Sequence, residues 1–233
     1  MQRPIIWRRV LRYAILLAAI PAVILLGVIL FNDRRYNIIS VAVAVLACIP
    51  FFALYERKKT STRELILIAV MIAISAVGRF IFAPLPGFKP VTAVIIITAM
   101  YFGAEAGFLT GALSALVSNT YFGQGPWTPF QMFTWGFIGL LAGLANKKGL
   151  LNKRVGLLTF GALSGVIFSL LMDIWVVFDA EGRLNLALYA TKVVSALPFT
   201  AIYALSNVAF LLLLAKPMGR ILARIKKKYQ IGA

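Results

Sequence analysis

Residues 82–135 read FAPLPGFKPVTAVIIITAMYFGAEAGFLTGALSALVSNTYFGQGPWTPFQMFTW. Two apolar runs lie back to back, split by GAEAG at 103–107, and a Pro/Gly loop with aromatic or amide side chains follows at either outer end. Two glycines bracketing an acidic residue suit a tight turn. A single helix over 90–119 would instead carry Glu105 near the middle of a bilayer, at a cost of about 2.5–3.5 kcal/mol. The stretch is therefore expected to hold two short helices of a membrane bundle, and its outer loops have the composition needed to cover an organic molecule.

The rest of the chain supports a membrane reading. Hydrophobic residues make up 61% of the 233, mean hydropathy is +0.92, and soluble domains hold only about 45–50% apolar residues. Apolar runs at 13–31, 37–55, 65–78, 154–172 and 199–215 approach or reach the roughly 17–25 residues that cross a hydrocarbon core. The first run is too long, and too promptly followed by a second, to read as a cleaved signal peptide. The net charge of +17 comes mostly from four clusters, Arg3–Arg12, Arg57–Arg63, Lys147–Arg154 and Lys216–Lys228. Basic segments beside membrane helices mark the cytoplasmic side, so the charge carries no implication of nucleic-acid binding.

Those clusters set the number of crossings. Two runs separate the first cluster from the second, and two separate the third from the fourth. With GAEAG as a cytoplasmic turn, four more lie between the second and third. The expectation is an all-α membrane protein of eight transmembrane helices with both termini cytoplasmic. The polar segment 56–61 divides an amino-terminal hairpin with its linker (1–62) from a six-helix unit (63–233). The two middle helices are expected to be short, about 14–16 residues, and to need tilt or burial.

Several chemistries are excluded by what the chain lacks. There is no histidine, which removes imidazole metal ligands, His-based triads and the HExxH protease motif. There is one cysteine, Cys48, hence no intramolecular disulfide, and no GxxxxGK[ST] phosphate loop. No carboxylate pair or nucleophile–base set stands out, so the chain is not read as an enzyme. An ion-coupled transporter would place charges near the midplane and often shows repeats; here the charges are peripheral.

The residues that can recognise a ligand gather near the outer loops. Arg79, Asp173 and Lys192 are the ionisable groups inside spans, where such groups usually face a cavity or one another. Arg79 and Lys192 could instead snorkel outward, while Asp173 is too short to do so and is expected to pair with one of them or with a ligand. Asn119, Tyr121, Phe122, Gln124, Trp127, Gln131 and Trp135 combine aromatic and amide groups as small-molecule pockets do, although interface aromatics also form ordinary membrane belts. Phe88 sits in the loop stiffened by Pro84, Pro86 and Pro90. Pro198 should kink the last helix beside Ser195 and ahead of Asn207. Small residues four apart recur at Ala69/Ala73, Gly107/Gly111, Gly139/Gly143 and Gly161/Gly165, a spacing that lets helices approach closely. The glycine pairs read as internal packing, and the alanine pair, at the start of the six-helix unit, as a face for a partner helix.

This pattern resembles the substrate-binding S components of energy-coupling factor (ECF) vitamin transporters. The likeness rests on RELILIAVMIAISAVGRF, whose Ala69 and Ala73 fit the family's first-helix AxxxA, then on GFKPVTAVIIITAMYFGAEAGFLTGALSALVSN and FGQGPWTPFQMFTWGFIGLLAGL. It covers about residues 63–233, and the block 87–143 looks most like the cobalamin-type members. The resemblance implies a prokaryotic multi-pass membrane subunit that binds a vitamin outside, most simply cobalamin, with riboflavin or another vitamin as the alternative. It implies a transmembrane coupling subunit that docks on Ala69 and Ala73, two cytoplasmic ATPases that use the ATP, delivery by toppling in the membrane, and no cofactor of the chain's own. The amino-terminal hairpin departs from the six-helix pattern.

Overall fold

The computed structural model describes residues 10–31, 36–55 and 62–229, which are helical apart from short connections and contain no strand. Eight helices follow in order. The first, α1, covers 10–31 with a π-helical turn at Ile15–Ala19, and α2 is Tyr36–Tyr55. Then come α3 (Thr62–Ile81), α4 (Val91–Phe102), α5 (Ala104–Phe122), α6 (Trp127–Lys147), α7 (Arg154–Glu181) and α8 (Leu186–Tyr229). Four stretches are long and apolar enough to cross a membrane: Val10–Leu30, Thr62–Ile81, Arg154–Glu181 and Leu186–Tyr229. Val91–Phe102 is a shorter apolar helix, and α2 is apolar over Ile38–Pro50. Arg3, Arg8, Arg9, the 32–35 connection, Arg57–Lys59 and the linker boundary at 56–61 lie outside the described residues.

The expected reversal is present, but it is tighter than GAEAG as a whole. Only Gly103 leaves the helix, at φ 97°, a backbone conformation that suits glycine. Its N–H bonds the Ala99 carbonyl and its own carbonyl accepts from Gly107 N–H, so α4 and α5 share one pivot. Glu105 lies in the first turn of α5, where a carboxylate complements the helix dipole. Gly107 is wanted for contact instead. The two middle helices are therefore 12 and 19 residues long, where about 14–16 each was expected. Residues Val91–Ala99 are buried without a break, as befits a helix apolar on all sides and enclosed by others.

Glycines set the distance between helices. In the antiparallel pair α5/α6, Gly107 lies against Gly139, Gly111 against the Trp135–Gly136 backbone, and Gly143 against Ala104. A Cβ at Gly111, Gly139 or Gly143 would collide with main-chain atoms, which cannot move aside as a side chain can. Gly165 meets the Ala204 backbone in the antiparallel pair α7/α8. Thr200 of α8 bonds Ser169 of α7 at 2.6 Å, while the Tyr189 hydroxyl reaches the neighbouring Leu170 carbonyl at 3.1 Å. Pro198 lies between these two contacts, inside the continuous helix α8.

The hairpin α1/α2 packs on α5 and α6, and Arg12 Nη1 pairs with Glu105 Oε1 at 3.0 Å. At the same end Lys226 Nζ donates to the Tyr101 carbonyl and Asn146 Nδ2 to the Met100 carbonyl. Arg12 of the first basic cluster and Lys226 of the fourth thus meet the chain beside the Gly103 reversal, as does Asn146, next to Lys147 of the third.

Candidate functional site

A cavity of about 150 Å³ lies toward the opposite end. Tyr203, in its wall, precedes Lys226 by a stretch of α8 that spans roughly 35 Å. Arg79 enters the wall from the last turn of α3. Its Nη1 donates to Ser118 Oγ and Asn119 Oδ1, both at 2.6 Å. The guanidinium lies over the Phe122 ring at 4.7 Å and the Trp135 ring at 5.2 Å, a position that favours a cation. Arg79 therefore points inward instead of snorkelling.

Asn119 ties these groups together. Fully buried, it accepts from Arg79 through Oδ1 and donates from Nδ2 to Thr128 Oγ1 and Gln131 Oε1, each at 2.9 Å. Thr128 in turn accepts from the Gly125 N–H at 3.2 Å, which seats the 123–126 connection on α6. One amide thus links α3, α5 and α6, and Gln131, its oxygen engaged by Asn119, lines the cavity.

The opposite wall is aromatic. Trp135 stacks on Phe168 with centroids 5.2 Å apart and 24° between planes, and Phe168 meets Tyr203 edge-on at 5.2 Å. Val91, Thr92 and Asn207 complete the lining, with Asn207 Nδ2 held by the Gly161 carbonyl at 3.0 Å. The loop 82–90 contributes Gly87 and Lys89. Gly87 has φ 72°, and a Cβ there would press on Ile202 and Tyr203. Ser206 pins the loop with one hydroxyl, accepting from Lys89 N–H at 2.8 Å and donating to the Lys89 carbonyl at 3.1 Å. Lys89 Nζ turns back on its own loop, toward the carbonyls of Phe82 at 3.0 Å and of Ala83 and Leu85 at 3.4 Å. Burial, and after it the nearby charge of Arg79, hold this ammonium below the usual lysine range.

Of the residues expected from sequence, Arg79, Gln131 and Trp135 line the cavity, with Asn119 and Phe122 directly behind. The others stand apart from it. Phe88 packs on Phe210 at 5.0 Å and Trp127 on Trp175 at 5.9 Å. Tyr121 is 67% exposed, beside Phe80. Gln124 donates to the Leu116 carbonyl, while its Oε1 is buried without a partner. Ser195 is exposed and bonds the Thr191 carbonyl one turn back. Asp173 is buried, and among the described residues it pairs with neither Arg79 nor Lys192; its Oδ2 has no partner, and Lys192, only partly buried, lies within electrostatic reach. Ala69 and Ala73 are exposed on α3, on the side away from buried Ile68, Met71, Ile72 and Ser75.

Sequence reasoning left Lys89, Thr92, Phe168 and Tyr203 off the site. A signal existed for one of them: Tyr203 and Asn207 are four apart, hence on one helix face, and Asn207 had drawn notice through Pro198.

No solved structure matches the chain. The family model described as "ECF-type riboflavin transporter, S component" matches residues 59–224, from the end of the polar linker through nearly all of α8. A transporter component is a membrane protein and not an enzyme, in keeping with the long apolar helices. With most of its length matched, the chain belongs to the ECF-type riboflavin transporter S-component family.

Proposed function

We propose that this chain binds a flavin-like vitamin at the cavity, on the outer side of the membrane, and passes it inward as the S component of an ECF transporter. The observation that carries the reading is the cavity wall of Trp135, Phe168 and Tyr203, whose stacked and edge-on rings suit a flat aromatic ring system. The family model's riboflavin description agrees in chemistry. At about 150 Å³ the cavity is small beside the roughly 300–1,000 Å³ of ordinary ligand pockets, so the loop 82–90 must lift for even a flavin. A corrinoid would demand far more displacement, which favours riboflavin chemistry over the cobalamin suggested by the 87–143 block.

Membership in the family implies a transmembrane coupling subunit and cytoplasmic ATPases as partners. Ala69 and Ala73 offer the coupling subunit an exposed, shallow helix face. We read the bundle as crossing eight times with both ends cytoplasmic, the Gly103 reversal lying with the basic clusters on the inside. Delivery by toppling would bring the outer cavity inward without a channel through the buried α4.

The visible spectrum of ligand copurified with the chain tests the reading, together with riboflavin titration followed by fluorescence quenching. A flavin spectrum and tight riboflavin binding that Trp135→Ala weakens are expected. A corrinoid spectrum would replace the flavin reading with cobalamin, and failure to bind either vitamin would overturn the site.

A further inference from the structure

Among the described residues the cavity wall holds two cations, Arg79 and Lys89, and no carboxylate. The side-chain ion pairs among the described residues, Arg12–Glu105 and Arg183–Glu181, do not line it. Asp173 does not line it and lies within electrostatic reach of Tyr203 and Lys192. Arg79 and Lys89 are close enough to repel one another. Carbonyl and amide dipoles solvate these charges but do not cancel them, and unpaired charge enclosed in a membrane bundle is costly.

The two cations are engaged in different ways. The three protons of Lys89 Nζ face three carbonyls of its own loop, so it acts on the cavity through its charge. Arg79 spends Nη1 on Ser118 and Asn119, while among the described residues its Nε–Nη2 edge makes no hydrogen bond. That edge is the one that can hold two oxygens of a phosphate or carboxylate side by side.

We propose that the ligand is anionic and sets a phosphate or carboxylate on the Nε–Nη2 edge of Arg79, beneath the loop clasped by Lys89. The inference rests on reading this cavity as the substrate site, and it narrows the substrate from a neutral aromatic vitamin to one bearing an acidic group. The ring system would lie on Trp135 while the anion completes the charge balance that the protein leaves open.

Two measurements on the purified full chain decide it. In the first, riboflavin and riboflavin 5′-phosphate are titrated against wild type, Arg79→Gln and Arg79→Lys. The ester should bind about tenfold or more tightly than riboflavin to wild type. The ratio of the two affinities should fall toward one in Arg79→Gln and survive in Arg79→Lys, which keeps the charge. Equal or weaker binding of the ester to wild type would overturn the proposal while leaving the flavin reading intact. In the second, melting is followed in inorganic phosphate against sodium chloride of equal ionic strength. Phosphate should raise the melting temperature of wild type and not of Arg79→Gln. If neither flavin binds, the flavin reading fails, and this second measurement alone decides the anion site: an Arg79-dependent rise upholds it and no rise overturns it. Should Arg79→Gln fail to fold, the wild type decides alone: tighter binding of the ester and a phosphate-dependent rise in melting temperature uphold the proposal, and the absence of both overturns it.

Discussion

The glycine seam between α5 and α6 and the alanine pair on α3 carry the same signal, small residues four apart, and have opposite fates. At the seam, Gly107, Gly111, Gly139 and Gly143 bring two backbones so near that a methyl group would strike main chain. On α3, Ala69 and Ala73 are exposed, and nothing among the described residues covers them. The spacing reports only that a close approach is possible. Whether the approaching helix belongs to the same chain is a matter of which face the rest of the sequence buries. Around the seam most neighbours are buried, Thr110, Ser114 and Thr134 among them, whereas on α3 the buried stripe Ile68, Met71, Ile72 and Ser75 has already claimed the inner side.

The sharpest way to break this contrast is Gly139→Val. Its branched side chain would meet the Gly107 carbonyl and Ile95, and overpacking against backbone should cost about 3 kcal/mol or more. The expected outcome is a protein that no longer gives a single peak on size exclusion; one that melts like wild type would show that the seam can yield. A smaller loss is expected for Asn119→Ala, which strips Arg79, Thr128 and Gln131 of a shared partner between α3 and the seam. Leaving buried donors unmet costs about 1–3 kcal/mol, so the melting temperature and ligand affinity should fall together. A variant that melted lower yet bound normally would separate the network from the site.

The smallest effect on the bundle belongs to Ala69→Trp and Ala73→Trp. Bulk added to an exposed face should move stability within about 0.5 kcal/mol, with vitamin binding retained. Copurification with the coupling subunit, and uptake, should nonetheless be lost. If these variants melt early and lose ligand instead, the alanine pair is a seam like the other and the contrast disappears.

Much of this architecture was legible in the sequence. Hydropathy gave the membrane class, and the basic clusters, the Gly103 reversal and the aromatic–amide composition of 119–135 gave helix order and the end that holds the cavity. Composition alone could not tell Tyr121 from Phe122. One residue of helix rotation turns the first outward and sets the second under Arg79. Gly103 and Gly107 looked like two ends of one turn because glycine serves both left-handed backbone and close packing, and only the neighbours reveal which. Lys89 escaped because a loop lysine ordinarily points to water. Phe168 and Tyr203 come from helices far along the chain, where local pattern says nothing of what they meet. Asp173 was expected to pair because its side chain is short; burial between α7 and α8 left its Oδ2 alone.

The lysine-clasped loop has a kinetic consequence. Its prolines stiffen it, Lys89 Nζ gathers three of its carbonyls, and Ser206 holds it through a single hydroxyl. Such a segment moves as one tile, fastened to α8 by this hydroxyl and by Phe88 against Phe210, and has few half-open arrangements in which part of a ligand could slip past. Exchange is then gated, with the waiting time set by the tile and not by the ligand. In stopped-flow mixing the observed association rate should climb with vitamin concentration and then level off at the opening rate. Ser206→Ala, which removes one of these fastenings, should raise that plateau. A rate that rises linearly without limit in the wild type would mean that the door already stands open.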